Sequence, residues 1–387
     1  MLGADRNGRN SGEFRHGNAA RRGGWPVGRP ASTLTLWRAM QPVVKTHKQV
    51  KRTLHEGLTM KRRSFLKALG GTVVSVAAVA PTDRSARGAE DVVNGVPRRK
   101  LGRTDANIST VGFPGLALRN YSQDEGTAKI HDTFAQGLNY YDVAPAYGAD
   151  GECEIRMGIG MEGLDRDKIF LSCKTKQRDK AGAKEELERS LKRLKTDRFD
   201  LYQLHCLFEV DEVEQALDKT NGAIATILEA QKAGVVKYIG FSAHTTRAAL
   251  AAMRGFAFDT VMFPINFVEH HAIGMGTQVL ELAHQQGAGV IAIKPISKGP
   301  WLKGTQPRGA WWYRWSEQQD ELNLFMHWTL SQQNVASGIP CSFFPQIDMC
   351  IQAAKQFAPV TEAEVQKLRT VCADCESLFR PREQQVA

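Results

Sequence analysis

The sequence has no apolar run long enough to form a lasting membrane span. It also has no G-x-G-x-x-G sequence after its first predicted strand, which disfavours an open, doubly wound sheet of the nucleotide-binding kind. The 387 residues allow one large domain with additions, and 42% apolar residues is ordinary for a globular protein. These absences indicate a globular protein whose function depends on polar residues at the ends of its apolar runs.

Basic charge is scarce outside the N-terminal segment, although the whole chain has a formal net charge of +10. Residues 1–90 contain 17 Lys and Arg against 5 Asp and Glu, whereas the rest of the chain contains 34 against 36. A nucleic-acid-binding domain needs a basic surface on its folded part. The distribution of charge therefore argues against nucleic acid as a partner.

Cysteine is also sparse, and its spacing matches no disulfide framework. The seven cysteines are Cys153, Cys173, Cys206, Cys341, Cys350, Cys372 and Cys375. Cys372 and Cys375 form a C-x-x-C pair, which is compatible with a disulfide, a redox pair or half of a metal site. No second pair completes a set of four ligands, so structural thiols are favoured and no metal site is predicted.

The first ninety residues differ from the rest of the chain. Residues 1–59 are rich in Gly, Arg and Asn and lack periodicity, which predicts disorder. Within residues 60–90, the segment Met60–Lys67 (MKRRSFLK) precedes the small, apolar run Ala68–Ala80. This arrangement resembles a bacterial twin-arginine export signal, and a chance arginine pair in a basic tail is the alternative. The resemblance implies a periplasmic protein, with the export machinery as a partner. It also makes Met60 the candidate initiator, so that residues 1–59 need not be translated.

After residue 97, short apolar runs alternate with amphipathic stretches of helical length. A first strand or hairpin is predicted within 99–111, and further strands at 140–143, 169–174, 201–205, 236–242, 261–263, 290–293 and 336–339. Helices are predicted at 123–136, 152–160, 183–194, 221–232, 246–253, 276–286, 318–330, 346–356 and 361–373. Such alternation indicates a parallel sheet covered by helices. About eight units fit a closed (β/α)8 TIM barrel over residues 91–387, with an open doubly wound sheet as the alternative.

Four polar side chains lie at or near the ends of successive predicted strands: Asp142, Tyr147, Lys174 and His205. In a closed parallel barrel the carboxyl ends of the strands meet on one face, so these side chains should converge. A tyrosine with a pKa near ~10 is a poor donor at neutral pH, but a nearby ammonium group lowers that pKa. A buried lysine needs a counter-charge, which Asp142 can supply. Since His205 can hydrogen-bond a carbonyl, the set suits proton transfer to a carbonyl oxygen while a hydride arrives.

The segments that carry these residues resemble the aldo-keto reductase superfamily. They are Gly137–Asp142 with Ala146–Gly148, Lys174-Thr175, Leu204-His205 and Tyr238–Ser242. The resemblance implies that Tyr147 is the general acid, Lys174 tunes it, Asp142 is the partner of Lys174, and His205 orients the carbonyl. It also implies that NADP or NAD carries the hydride, in an oxidoreductase acting on a carbonyl or alcohol substrate.

The cofactor positions match the superfamily less well. Ser242 corresponds to the family's serine at the nicotinamide amide, whereas Lys294 stands where many members have an aromatic residue that stacks on the nicotinamide. Ser342 lies in the segment after the last strand, where the family usually has basic residues for a 2′-phosphate, and the next residue is the uncharged Phe343. The choice between NADP and NAD therefore stays open. Lys298 is either a phosphate contact or a solvated loop residue.

The loop after the seventh strand is rich in aromatic residues: Trp301, Trp311, Trp312, Tyr313 and Trp315. It is either a face for a sugar-like or ring-bearing substrate, or a lid or interface patch. Two other functions stay open: a nicotinamide-binding sensor or assembly subunit, and a sugar-acting redox enzyme with a tightly held cofactor. The four strand-end residues favour an enzyme, while the weak cofactor positions favour the sensor.

Overall fold

The computed structural model describes residues 91–386, except for the side chain of Ala310. The predicted extension at residues 1–59 and the predicted export signal at residues 60–90 lie outside this range. Within the described range, no helix combines the length and the apolar character needed to cross a membrane.

The strands form a small antiparallel sheet followed by a parallel barrel. The small sheet contains β1 (Asp91–Val93), β2 (Val96–Lys100) and β3 (Asn107–Ser109). The barrel contains β4 (Phe113–Pro114), β5 (Tyr140–Asp142), β6 (Phe170–Thr175), β7 (Phe199–Leu207), β8 (Val236–Ala243), β9 (Thr260–Pro264), β10 (Gly289–Ile293) and β11 (Val335–Ile339). Each barrel strand pairs with the next one along the chain, which confirms the predicted (β/α)8 class.

A parallel bridge between Val111 and Gly338 joins the start of the barrel to its last strand. The amide of Gly338 donates to the Thr110 carbonyl at 2.9 Å, and its carbonyl accepts from the Gly112 amide at 3.1 Å. Because these bonds continue the pairing of β11 around to the first strand, the sheet closes on itself. Closure removes the open edges that would otherwise invite pairing with another chain.

The helices lie between the strands along the chain, as predicted, with shifted boundaries. They are Gln123–Ala135, Glu152–Gly160, Lys180–Arg193, Val210–Leu217, Ala223–Lys232, Thr246–Gly255, Phe267–Ile273, Thr277–Gln286, Gln319–Ser331, Phe344–Lys355, Glu362–Val371 and Arg380–Val386. Three of these helices were not predicted: Val210–Leu217, Phe267–Ile273 and Arg380–Val386. Each has seven or eight residues, which is about two turns and too short for a clear helical period.

The turn and strand β3 of the N-terminal hairpin close one end of the barrel. Leu101 and Ile108 pack with inward-facing residues of the barrel strands, among them Tyr140 and Leu201. The amide of Arg103 donates to the carbonyl of residue 287, just before β10 begins, at 2.7 Å. The hairpin therefore covers the amino-terminal end of the barrel and leaves the carboxyl ends of the strands free to form a site.

Candidate active site

Lys174 and Asp142 form a buried ion pair on neighbouring strands. Asp142 is the last residue of β5, and Lys174 lies near the end of β6, which pairs with β5. The Lys174 Nζ atom is 2.5 Å from Asp142 Oδ2 and 3.1 Å from the Val143 carbonyl oxygen. Burial raises the pKa of the Asp142 carboxyl, and the Lys174 ammonium acts in the opposite direction. The predicted partnership of these two residues is therefore present in the structure.

Tyr147 lies beside Lys174 and His205. The Lys174 Nζ atom is 5.1 Å from the centre of the Tyr147 ring, and the His205 ring stands edge-on to that ring at 5.6 Å between centres. Desolvation raises the pKa of Tyr147 well above its ordinary value, and the negative charge of Asp142 raises it further. Desolvation and the charge of Asp142 therefore act against the lowering of this pKa that Lys174 was predicted to cause.

His205 is buried, with 6% of its surface exposed. Burial lowers the pKa of His205 well below its ordinary value, and the positive charges of Lys174 and Lys176 lower it further. The imidazole is therefore neutral at pH 7, with one ring nitrogen as donor and the other as acceptor. Its Nδ1 atom is buried without a hydrogen-bond partner among the described residues. An unpaired buried polar atom costs stability, so this nitrogen favours a ligand that pairs with it.

Two polar side chains at the ends of β8 and β9 suit the amide group of a nicotinamide. Ser242 is buried, and its hydroxyl accepts a hydrogen bond from the Cys206 amide at 2.7 Å. Asn266, two residues after β9, accepts from the Glu269 amide through its Oδ1 atom, while its Nδ2 atom is buried without a partner among the described residues. Asn266 was not predicted. The signal was available, because an asparagine stands two residues after an apolar strand.

Lys294 follows β10 and contacts other residues of the chain itself. Its Nζ atom is 3.3 Å from His244 Nε2 and 5.2 Å from the centre of the Phe379 ring. Burial lowers the pKa of Lys294 to about 8. Its backbone is in the left-handed region, with a φ of 59°, which is unusual for a residue with a side chain. The predicted cofactor contact thus lies beneath Phe379.

Lys298 and Ser342 do not form an open phosphate site. The Lys298 Nζ atom is 2.7 Å from Glu321 Oε1, so this cation already has a carboxylate partner within the chain. Ser342 is buried, and its carbonyl accepts from Asn120 Nδ2 at 2.9 Å. The adjacent Phe343 ring packs against the aromatic loop. The structure therefore brings the four strand-end residues together but leaves these two cofactor candidates in other contacts.

The aromatic loop packs mostly against itself. Trp311, Tyr313 and Trp315 are buried, whereas Trp301 and Trp312 are partly exposed. The Trp301 Nε1 atom donates to the Trp311 carbonyl at 2.7 Å, and the Trp301 and Trp315 rings meet edge-on. Most of this loop therefore forms a local core. Two partly exposed rings remain for a ligand.

The C-terminal segment returns to the barrel mouth near Lys294. The Leu378 amide donates to Glu269 Oε1 at 2.8 Å, and the Ser377 hydroxyl donates to the other oxygen of the same carboxylate. Glu269 is fully buried, and burial raises the pKa of its carboxyl. The Phe379 ring lies 5.9 Å from the His244 ring. Sequence reasoning missed the contacts of Glu269 with residues 377–378, because nothing in the local pattern links residues about 110 positions apart.

The C-x-x-C pair carries free thiols. Cys372 is buried and Cys375 is partly exposed. Within the described range, no three His, Cys, Asp or Glu side chains are grouped so that they could hold a metal ion.

A family model described as the aldo/keto reductase family matches residues 110–372. The uncharacterized oxidoreductase YqkF of Bacillus subtilis is 28% identical over 214 residues, which is 52% of this chain and 65% of YqkF. The D-threo-aldose 1-dehydrogenase of a Pseudomonas species is 27% identical over 255 residues, 57% of this chain and 73% of that enzyme. The chain therefore spans just under two thirds of YqkF.

One solved structure supports the fold. The holo form of the aldo-keto reductase AKR11C1 from Bacillus halodurans superposes with a TM-score of 0.59 at 21% identity. The match covers 74% of this chain and 99% of the other. At this level of identity, the likeness concerns the barrel and not the reaction.

Proposed function

The chain belongs to the aldo/keto reductase family, and on that basis we propose that it transfers a hydride between a nicotinamide cofactor and a carbonyl or alcohol substrate. The observation that carries this proposal is the convergence of Tyr147, Lys174, Asp142 and His205 at the carboxyl end of the barrel. A barrel that only bound a nucleotide would not need a buried ion pair beside a tyrosine. The four residues together supply proton transfer and orientation.

In this proposal, Tyr147 donates its hydroxyl proton to the substrate oxygen. A bound nicotinamide would supply the hydride, or accept it in the reverse direction. His205, neutral at pH 7, donates a ring N–H to the same oxygen and so fixes the position of the carbonyl. Although the pKa of Tyr147 is raised, the alkoxide formed on the substrate is a stronger base than a phenolate, so the proton still moves toward it. The Lys174 ammonium, 5.1 Å from the ring, then stabilises the phenolate that remains.

Ser242 and Asn266 would hold the nicotinamide amide. The unpartnered Nδ2 atom of Asn266 fits the amide oxygen as a donor, and the unpartnered Nδ1 atom of His205 fits a substrate near the ring. Support for a 2′-phosphate is weaker, because Lys298 already forms an ion pair with Glu321. We therefore propose that both NADP and NAD are accepted.

The decisive experiment measures oxidation of reduced nicotinamide by the full-length protein with a model aldehyde. Tyr147→Phe should lower turnover about 10²–10⁴-fold, because it removes the general acid. Tyr238→Phe is the matched control, since the Tyr238 hydroxyl is buried without a partner among the described residues. If Tyr147→Phe turned over the aldehyde as fast as the Tyr238→Phe control, Tyr147 would have no catalytic role.

A nicotinamide-binding sensor is the second candidate function. It is favoured by the contacts of Lys294, which lies under Phe379 and next to His244. Mass spectra and absorbance of the purified protein would separate the two candidates. A bound nucleotide without turnover of any aldehyde or sugar would favour the sensor, whereas turnover would favour the enzyme. Turnover of aldoses with retained nucleotide would specify a sugar-acting enzyme with a tightly held cofactor.

We further propose that the protein is exported to the periplasm by the twin-arginine machinery, folded and with its nucleotide bound. The support is the MKRRSFLK segment at Met60–Lys67. Replacing both arginines (Arg62→Lys with Arg63→Lys) should leave active protein in the cytoplasm. Cell fractionation with an assay of bound nucleotide tests this. Retention of the native protein in the cytoplasm would contradict the proposed export.

A further inference from the structure

Lys176 and Arg178 lie beside His205 at the carboxyl end of the barrel. Thr175 is in register with Leu204, so the residue after Thr175 comes level with His205. The Arg178 Nη2 atom donates to the His205 carbonyl at 2.8 Å, which places this guanidinium against the end of β7. The Arg178 guanidinium therefore lies against the strand end that carries His205, and Lys176 is level with His205 on the neighbouring strand.

Ion pairs among the described residues leave two cations in this part of the barrel without a carboxylate partner. Asp142 pairs with Lys174, and Glu212 lies 3.4 Å from Arg178. Lys176 has no carboxylate within ion-pair distance among the residues that the structure describes, and the same holds for Lys294. Glu269, the buried carboxylate near Lys294, already accepts from two residues of the C-terminal segment.

The excess charge acts on both histidines of the mouth. Burial is the main reason that the pKa values of His205 and His244 are lowered. Positive charge lowers both pKa values further: Lys174 and then Lys176 and Arg178 act on His205, and Lys294 and then Lys176 act on His244. Lys176 therefore lies close enough to influence both rings. An anion placed between them would relieve this repulsion.

Two buried nitrogen atoms at this end of the barrel have no hydrogen-bond partner among the described residues. They are Nη1 of Arg178 and Nδ1 of His205, which lie on neighbouring strand ends. A buried donor without a partner is costly, and native proteins rarely keep one unless a ligand or water pairs with it. A guanidinium also offers several donors in one plane, which suits the oxygens of a carboxylate or phosphate.

We propose that the carbonyl substrate carries an anionic group, a carboxylate or a phosphate, which binds to Lys176 and Arg178 beside His205. This inference rests on the proposed function, because it assigns the substrate of the same site. The contact of Arg178 with the His205 carbonyl favours the substrate over the cofactor as the source of the anion, because His205 orients the substrate in the proposed function. Phosphate groups of the cofactor are the other source, and the experiment separates them.

The test compares para-carboxybenzaldehyde with its methyl ester, which keeps the ring and the aldehyde but has no charge. The wild-type protein should show a kcat/KM for the acid at least about tenfold above that for the ester, since ionised hydrogen bonds are the strong ones. Lys176→Met should reduce this ratio about tenfold, and Lys176→Arg should retain most of it. Lys180→Met is the matched control, because Lys180 pairs with Glu229 on the outer helices, and its ratio should equal that of the wild type.

Binding measurements complete the test. Titration of NADPH and NADH into the wild type and Lys176→Met shows whether the lysine serves the cofactor. A loss of cofactor affinity with an unchanged acid-to-ester ratio would overturn the proposal.

Calorimetric binding of terephthalate reports on the anion site without turnover, because terephthalate has two carboxylates and no aldehyde to reduce. If no aldehyde reacts but Lys176→Met weakens terephthalate binding about tenfold, the result supports the anion site and contradicts the proposed function. Turnover with equal kcat/KM for acid and ester would refute the anion site alone.

Discussion

The Lys174 ammonium lies 2.5 Å from the Asp142 carboxylate, and neither side chain is more than 3% exposed. The pair joins two adjacent barrel strands at the point where Tyr147 reaches the mouth. Because both charges are out of water, each depends on the other for compensation. The arrangement keeps the Lys174 ammonium beside the Tyr147 ring throughout the proposed reaction. Burying the two charges costs desolvation free energy, which their mutual attraction offsets only while both side chains are present.

Removing one partner of this pair should destabilise the protein strongly. Lys174→Met leaves Asp142 as an uncompensated buried charge, and we expect a loss of about 3–5 kcal/mol in the free energy of unfolding. Combining it with Asp142→Asn should cost less than the sum of the two single changes. Urea unfolding of the three variants and the wild type gives the coupling. Additive losses would mean that the two side chains do not depend on each other.

Discrimination between the two nicotinamide cofactors should be weak. Lys298 is held by Glu321 at 2.7 Å, and the residues after β11 include the uncharged Phe343 and Phe344. A charge-assisted phosphate contact is worth about 1.5–3 kcal/mol, or roughly ten- to a hundredfold in affinity. Without such a contact, NADPH and NADH should bind within about tenfold of each other. A fluorescence titration with a thousandfold preference for NADPH would contradict this, and Lys298→Met would then show whether Lys298 is responsible.

The barrel and the four strand-end residues were predictable because both depend on order along the chain. Parallel strands that follow one another place their carboxyl ends on one face, so Asp142, Lys174 and His205 converge whatever the details of packing. The pKa of Tyr147 was not predictable, because it depends on desolvation and on the full charge of the neighbouring pair. Local sequence shows which residues are near each other along the strands but not how much water surrounds them.

The contacts of Lys294 escaped prediction for a different reason. They depend on Phe379 and on the buried Glu269, which residues 377–378 hold from the other end of the chain. A single charged residue in the short helix Phe267–Ile273 looks like a solvated side chain. Only the tertiary fold, which brings the C-terminal segment back to the mouth, shows that Glu269 is fully enclosed.

Loss of the Ser377 hydroxyl should destabilise this junction. It donates to the buried carboxylate of Glu269, and removing a donor to a buried charged group costs about 1–3 kcal/mol. Ser377→Ala should therefore lower the free energy of unfolding by that amount. Ser337→Ala is the matched control, because the Ser337 hydroxyl is buried without a partner in the described part of the chain. Equal stability of the two variants in urea would show that the Ser377 contact contributes nothing.

Acid should destabilise the protein through its histidines. The pKa values of His205 and His244 are lowered in the folded state, first by burial and then by nearby positive charge, whereas in the unfolded chain they return to about 6.5. Below that pH the unfolded chain binds more protons than the folded protein. The free energy of unfolding should therefore rise with pH up to about 6.5 and then level off, by at most about 1.4 kcal/mol per pH unit for each histidine.

Variants separate this effect from that of the carboxyl groups. The raised pKa values of Asp142 and Glu269 act in the opposite direction at lower pH, because there the folded protein binds protons more readily than the unfolded chain. The test therefore measures the free energy of unfolding between pH ~5 and ~7 and compares its slope against pH in the wild type and in His244→Asn. The variant should have the shallower slope, since it no longer gains a proton on unfolding. His284→Asn, on an exposed helix position, is the control for loss of an imidazole. Identical slopes for His244→Asn and the wild type would mean that His244 titrates alike in both states and that the charge of Lys294 does not reach it.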